Sequence, residues 1–333
     1  MTTASSQDFL FQRIKELLPK DITMVDAISA ILNISSDSAY RRIRCETPLI
    51  LEEAKLLCDH YHLSLDQLLG IRSGFTLFQT ERVHHKDFTF EKYLSSILVQ
   101  LQQLNGFIRK EIIYLSKDLP FFHNFSNEPL FAFHYFFWMK SILRHPDFED
   151  RDFTLDCLTP EIKKLGTDII QTYNSIPSSE IWNTECINSI IFQVESYKEA
   201  GHFADKGDIL KIYKAVETTI AHLKSQAEHG CKYLPGENPE FKKSNFKFFY
   251  NRMTLGDNTI MGISDHGKTV FLNYDVMNYM VTRDEKFCID TYNDLQGLLR
   301  RSTLMSNSGE KQRNIFFNIL LSKIQDRKYN LAS

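Results

Sequence analysis

The chain opens with apolar residues at helical spacing. Phe9, Ile14, Leu17 and Leu18 mark one stripe over about Asp8–Leu18, and Pro19 ends it. A second stripe, Val25, Ile28 and Leu32, predicts a helix over about 24–32 with Thr23 as its N-cap. Asn33-Ile34-Ser35 follows. Asn tolerates the left-handed conformation that ends a helix, and Ser35 is a good N-cap for the next. That next helix is Ser36–Arg44, reading SDSAYRRIR. After Pro48 a fourth is expected over about Leu51–Tyr61, and Ser64 caps a short fifth through Leu69, closed by Gly70.

From Phe88 to about Gly230 the spacing is helical again, with segments expected at 88–117, 128–144, 160–173, 183–200 and 206–228. These predict antiparallel helix pairs in the manner of a solenoid, although no clean 34-residue repeat is present. Leu130–Lys140, LFAFHYFFWMK, is apolar nearly all round and is expected at the centre of a core, the alternatives being a dimer interface or the wall of an apolar ligand pocket. Beyond Asn238 the pattern shortens to strand-like runs at 246–253, 258–264 and 268–274. Leu255-Gly256-Asp257 and Asp265-His266-Gly267 separate them as tight turns. Helices are expected to follow at 275–282, 287–304 and 309–324.

The pattern thus predicts a mainly α chain in four parts. Residues 1–72 form a five-helix domain, 73–87 a linker, 88–235 a helical region for sensing or dimerisation, and 236–333 a small α+β region with an antiparallel sheet.

Composition narrows the class. At 333 residues, 43% hydrophobic and 24% charged, the chain is ordinary for a globular protein of more than one domain. The start has no basic segment followed by an apolar core and cleavage site. No apolar run approaches the about 18–20 residues that span a bilayer, so a cytoplasmic protein without membrane contact is expected. Six scattered cysteines without a CxxC pair read as reduced thiols.

The second and third helices carry the candidate chemistry. Two helices joined by so short a turn cross steeply, with Ser29 and Ala39 small enough for the approach, and the second can project into a major groove. With Ala39 and Ile43 inward, the exposed N-terminal end of Ser36–Arg44 presents Ser36, Asp37, Tyr40 and Arg41 to base edges. Arg41 suits guanine, Asp37 a cytosine amino group, and Ser36 and Tyr40 can donate. Thr23, Ser35, Arg42 and Arg44 stand where phosphate contacts are expected. Charge does not add to this. The whole chain carries −3, and residues 1–72 hold eight Lys and Arg against ten Asp and Glu, a net of −2. The pattern alone carries the assignment.

The stretch VDAISAILNISSDSAYRRIRCETPLILEEAKLLCDHYHLSLDQLL resembles the lambda-repressor/Cro-like helix-turn-helix family, closest to its BetR-like branch of bacterial transcriptional regulators. The resemblance covers residues 8–70. It implies a five-helix domain that places Ser36–Arg44 in the major groove of double-stranded DNA. Three positions depart from the family pattern: Asn33 where the turn often has Gly, Ser29 where Ala is common, and Arg44-Cys45-Glu46 in place of Glu-x-Gly.

No other motif rises to chemistry. His84-His85 and His60/His62 lack a zinc-ligand spacing, and there is no phosphate-binding loop, dinucleotide fingerprint or nucleophile elbow. His266 with Asp265 and Lys268 is the nearest thing to a catalytic group, and turn chemistry accounts for it. The expectation is a transcriptional regulator without enzymatic activity, metal or cofactor, acting as a homodimer and answering to a small-molecule or protein effector. The alternative is a protein-interaction adaptor built on the helical middle region.

Overall fold

The computed structural model describes the whole chain except residues 1–4, 19–21, 62, 64, 66–75, 81–87, 254, 255 and 333. The expected fifth helix, the close of the first helix at Pro19, and most of the expected linker with His84 and His85 lie outside the described residues. The chain forms two compact units, 1–75 and 76–333.

The first unit contains helices α1 (Ser6–Leu17), α2 (Met24–Leu32), α3 (Ser36–Ile43) and α4 (Leu51–Tyr61). Each start has a local cause. Ser5, Thr23 and Ser35 accept the backbone N–H three residues on, from Asp8, Asp26 and Ser38 respectively. Leu10, Phe11, Ile14, Ile28, Ala39, Leu57 and Cys58 form the core. Gln7 ties α1 to the segment between α3 and α4. Its Nε2 donates to the carbonyls of Arg42 (2.8 Å) and Thr47 (2.9 Å), and its Oε1 accepts from the Leu49 N–H (2.9 Å).

The second unit is built on one eight-stranded sheet. The strands are β1 (Gln79–Thr80), β2 (Lys110–Leu115), β3 (Ser178–Trp182), β4 (Phe246–Tyr250), β5 (Thr259–Ser264), β6 (Gly267–Asn273), β7 (Tyr279–Thr282) and β8 (Thr303–Leu304). They lie in the order β1-β7-β6-β5-β2-β3-β4-β8. The helices are α5 (Phe90–Asn105), α6 (Glu128–Phe137), α7 (Pro160–Ser175), α8 (Asn188–Glu199), α9 (Gly207–His229), α10 (Glu285–Arg301) and α11 (Glu310–Ala332).

This corrects the expected four-part division in several respects. The sheet is mixed rather than antiparallel: β2-β3-β4 are parallel, and the other pairs are antiparallel. The region 88–235 is not wholly helical but supplies the two central strands β2 and β3, so it and 236–333 share one sheet. The expected linker contributes β1, which pairs with β7. The expected 88–117 helix stops at Asn105, and Ile112–Leu115 is a strand buried on both faces, whose continuous apolar run mimics a buried helix. Nor do 246–274 form a meander, because β2 and β3 separate β4 from β5. The β5–β6 hairpin does turn at Asp265-His266, but 275–282 ends in strand β7 where a helix was expected.

Alternation along the strands divides the core. Ile112, Tyr114, Trp182, Phe246 and Phe248 face the layer made by α5–α9 and α11. Ile113, Leu115 and Ile181 face the other way, with Met261, Val270 and the α10 residues Cys288 and Leu295. Leu130–Phe136 is buried throughout at the heart of the helical layer, as its all-round apolarity requires.

One polar network lies inside this core. Glu180 of β3 is fully buried (0% exposed) and accepts from Trp182 Nε1 (2.8 Å) and the Tyr173 hydroxyl. His123 Nε2 approaches its two oxygens at 3.0 and 3.1 Å. Lys232, also buried, donates to the Tyr173 carbonyl (2.6 Å) and lies 3.6 Å from the centre of the Tyr173 ring. Burial alone would push the Glu180 carboxyl up. His123, Tyr173 and Lys232 outweigh it and hold the carboxyl below its ordinary value. Burial pulls Lys232 down to about 7, against the pull of Glu180.

Candidate nucleic-acid interface

The α2–α3 corner is fixed by its turn. Asn33 sits at φ 52°, ψ 50°, the left-handed position that Gly often fills, and its N–H bonds back to the Ser29 carbonyl. Ser35, extended, then caps α3. Ala39, fully buried, brings α3 against the core of the unit, so the opposite side of α3 faces outward.

That outward side gathers Ser36, Asp37, Tyr40, Arg41 and Arg44, all exposed. Arg41 has no side-chain partner among the described residues. Tyr40 is 48% exposed, and the Arg44 guanidinium lies 5.5 Å from its ring centre while pairing with Glu46 at 3.3 Å. Both Arg44 and Glu46 are well exposed, so this ion pair contributes little and leaves Arg44 free to exchange partners.

The expected phosphate contacts are placed less uniformly. Arg42 turns inward. Its Nε and Nη2 grip both oxygens of Glu53 on α4 (2.9 and 2.8 Å), and its Nη1 donates to the Ser38 carbonyl (3.2 Å). The two side chains are only 17% and 14% exposed, so Arg42 braces α3 against α4 and is not available to DNA. Glu53 also accepts from the Ile50 N–H at the start of α4 (3.2 Å), one half of a capping box. Its carboxyl is held below the ordinary value, chiefly by the Arg42 hydrogen bonds. Thr23 and Ser35 are exposed, but their hydroxyls are engaged. Thr23 Oγ1 donates to the Asp26 carboxylate (2.5 Å), and Ser35 Oγ donates to Ser38 Oγ (2.9 Å).

Arg44 is the C-cap of α3, and Cys45 follows at φ 58°. The Cys45 N–H bonds to the Arg42 carbonyl (2.9 Å) and the Glu46 N–H to the Arg41 carbonyl (2.9 Å), which together make a Schellman motif. A β-carbon in this conformation is unfavourable, and Gly relieves it. Cys45→Gly is therefore expected to stabilise the first unit by about 0.5–1 kcal/mol, read as a higher denaturant midpoint with an unchanged slope.

The Asp265 group resolves into separate partners. Asp265 accepts from the Ile108 and Arg109 N–H groups, the His266 ring packs 5.0 Å from Phe107, and Lys268 lies over Tyr292. Among the described residues no three His, Cys, Asp or Glu side chains converge as a metal site, and no helix is long and apolar enough to cross a membrane. No family model matches the chain, and no curated protein or solved structure is similar to it.

Proposed function

We propose that the chain is a sequence-specific DNA-binding transcriptional regulator that lays α3 in the major groove of double-stranded DNA. The single observation that carries this is the outward face of α3. Arg41, without a side-chain partner among the described residues, stands there with Ser36, Asp37 and Tyr40, on a helix that follows a capped three-residue turn. Arg41 reads a base edge, Arg44 meets phosphate, and α2 braces the helix across the backbone. One such unit covers a half-site, so the regulator acts as a homodimer through residues of 76–333, which also sense a small-molecule or protein effector.

Arg41→Ala tests the reading. On genomic fragments that bind the wild-type chain, affinity is expected to fall about 5–150-fold, the loss of one bidentate base contact, while the thermal melt stays unchanged. A wild-type affinity that falls steeply with salt completes the expectation. Unchanged binding by Arg41→Ala on every fragment overturns the reading. A protein-interaction adaptor is the second reading, favoured by the outward α5 face around the exposed Val99. Partner capture that is insensitive to salt would support it.

A further inference from the structure

Helix α11 buries Phe316, Phe317, Leu320 and Ile324 on one side. Its opposite side carries an exposed stripe at 311, 315, 318, 319, 322 and 326, steps of three and four that keep one face of a helix. The stripe reads Lys, Ile, Asn, Ile, Ser, Asp. Ile315 and Ile319 are 52% and 39% exposed. None of the four polar residues has a side-chain partner among the described residues. Phe192, 71% exposed, stands one turn along α8 from Asn188, whose side chain holds Lys323 of α11 (2.9 Å).

The order of charges along this stripe points to its occupant. Positive Lys311 stands at one end and negative Asp326 at the other, equally far from the midpoint between Asn318 and Ile319. We propose that the stripe pairs antiparallel with the same helix of a second copy, about a two-fold axis at that midpoint. Each Lys311 then lies opposite the partner's Asp326, and each Ile315 opposite the partner's Ser322, a small side chain. The Ile315 and Ile319 side chains of both copies meet around the axis. A parallel pairing would instead set Lys311 against the partner's Lys311. A stripe with one charge of each sign suits neither nucleic acid nor an anionic lipid surface, both of which call for net positive charge.

The contact is isologous, as two-fold homodimers require. The stripe from 311 to 326 runs only about 22 Å at 1.5 Å per residue, so the helix pair falls short of a standard interface of about 1,200–2,000 Å². The free chain should accordingly dimerise weakly and be held together further by two half-sites on one DNA. This inference rests on the reading of the chain as a dimeric DNA-binding protein and names the surface that joins its copies.

Charge reversal tests it. Sedimentation of the full chain over a concentration series is expected to give a monomer–dimer equilibrium. Lys311→Glu and Asp326→Lys should each raise the dimer dissociation constant roughly tenfold or more, because symmetry turns one substitution into two like-charge pairs. The double variant K311E/D326K should recover to within a few-fold of wild type. Both positions of the cycle are at the surface, so the thermal melts of its four chains should coincide. Singles that dimerise like wild type overturn the proposal, as does a double variant that stays monomeric with a normal melt, or a wild-type chain monomeric up to on the order of 100 µM. Binding of Arg41→Ala to DNA separates the two claims. If that variant loses DNA while charge reversal leaves the dimer intact, the interface is wrong and the DNA reading stands. Charge rescue in a chain that binds no DNA gives the converse.

Discussion

Replacing Glu180 by Ala is expected to cost the second unit about 3–5 kcal/mol, the usual penalty for removing one partner of a buried ionic group. His123 Nε2, the Tyr173 hydroxyl and the Trp182 indole N–H all lose their acceptor at once, and Lys232 loses the nearby negative charge that favours its protonated form. For a unit of this size the melting temperature should fall by about 6–20 °C. Glu180→Gln keeps the volume and one acceptor, and should lose less. The pH dependence has a definite sign. The Glu180 carboxyl sits below its unfolded value, so its contribution is present above about pH 4.5 and disappears as pH falls through the folded value. Lys232, pulled down to about 7, binds its proton more weakly folded than unfolded. Stability should therefore rise between about pH 7 and 10.5, the ordinary lysine value, and Lys232→Met should flatten that rise. Denaturant titrations at several pH values check both ends. A Glu180→Ala chain that melts like wild type would remove the network from any structural role.

If the chain binds DNA as proposed, Arg42→Ala should abolish that binding by a route quite different from Arg41→Ala. Arg42 makes two hydrogen bonds to Glu53 and one to the Ser38 carbonyl across a poorly exposed contact, so about 2–4 kcal/mol is at stake. A small helical unit has a stability of the same order. The expected outcome is a melted first unit in Arg42→Ala and an intact one in Arg41→Ala. Far-ultraviolet circular dichroism and a denaturant midpoint distinguish them. A double-mutant cycle with Glu53→Ala should return a coupling energy of about 1–3 kcal/mol. Because Arg42 holds the Glu53 carboxyl below its ordinary value, this contribution persists above about pH 4.5 and is lost on acidification. A normally folded Arg42→Ala chain that loses only DNA affinity would return Arg42 to the interface.

The contrast between Arg41 and Arg42 shows how far the sequence could be read. Caps and turns are local, so Thr23, Asn33 and Ser35 announced the boundaries of α2 and α3 by residue type. Apolar spacing likewise placed α1 and α4 along the chain, but the inward side of α1 differs from the expected stripe: Phe9 and Leu17 are exposed, and Leu10 and Phe11 join Ile14 in the core. By its position on α3, Arg42 reads in the sequence as a phosphate contact. Yet it lies three residues after buried Ala39, on the inward flank of the helix, and that spacing was the available signal. Its partner Glu53 sits on another helix, a pairing that local spacing does not specify. Gln7, which bonds three backbone groups more than 30 residues away, had no local signature at all.

The second unit was less legible for the same reason. Ile112–Leu115 has no period of two because both faces are buried, and in sequence it continues the stripe of α5. Ser178-Ser-Glu-Ile-Trp182 has three polar residues in five, which argues against a central strand. It is one only because Tyr173, His123 and Trp182 converge on Glu180 in the fold.

The sheet joins segments that are made far apart in time. Gln79 pairs with Val281, and Phe249 with Leu304, so the second unit cannot complete its pairing until Leu304 has left the ribosome. The core of the first unit is made of its own residues, Leu10 to Cys58. Loop-closure entropy then makes the α3-bearing unit fast and the sheet slow to fold. During synthesis, a folded first unit is expected to precede the second. On the proposed reading, nascent chains would present a folded α3 before the surface proposed to pair two copies is in place.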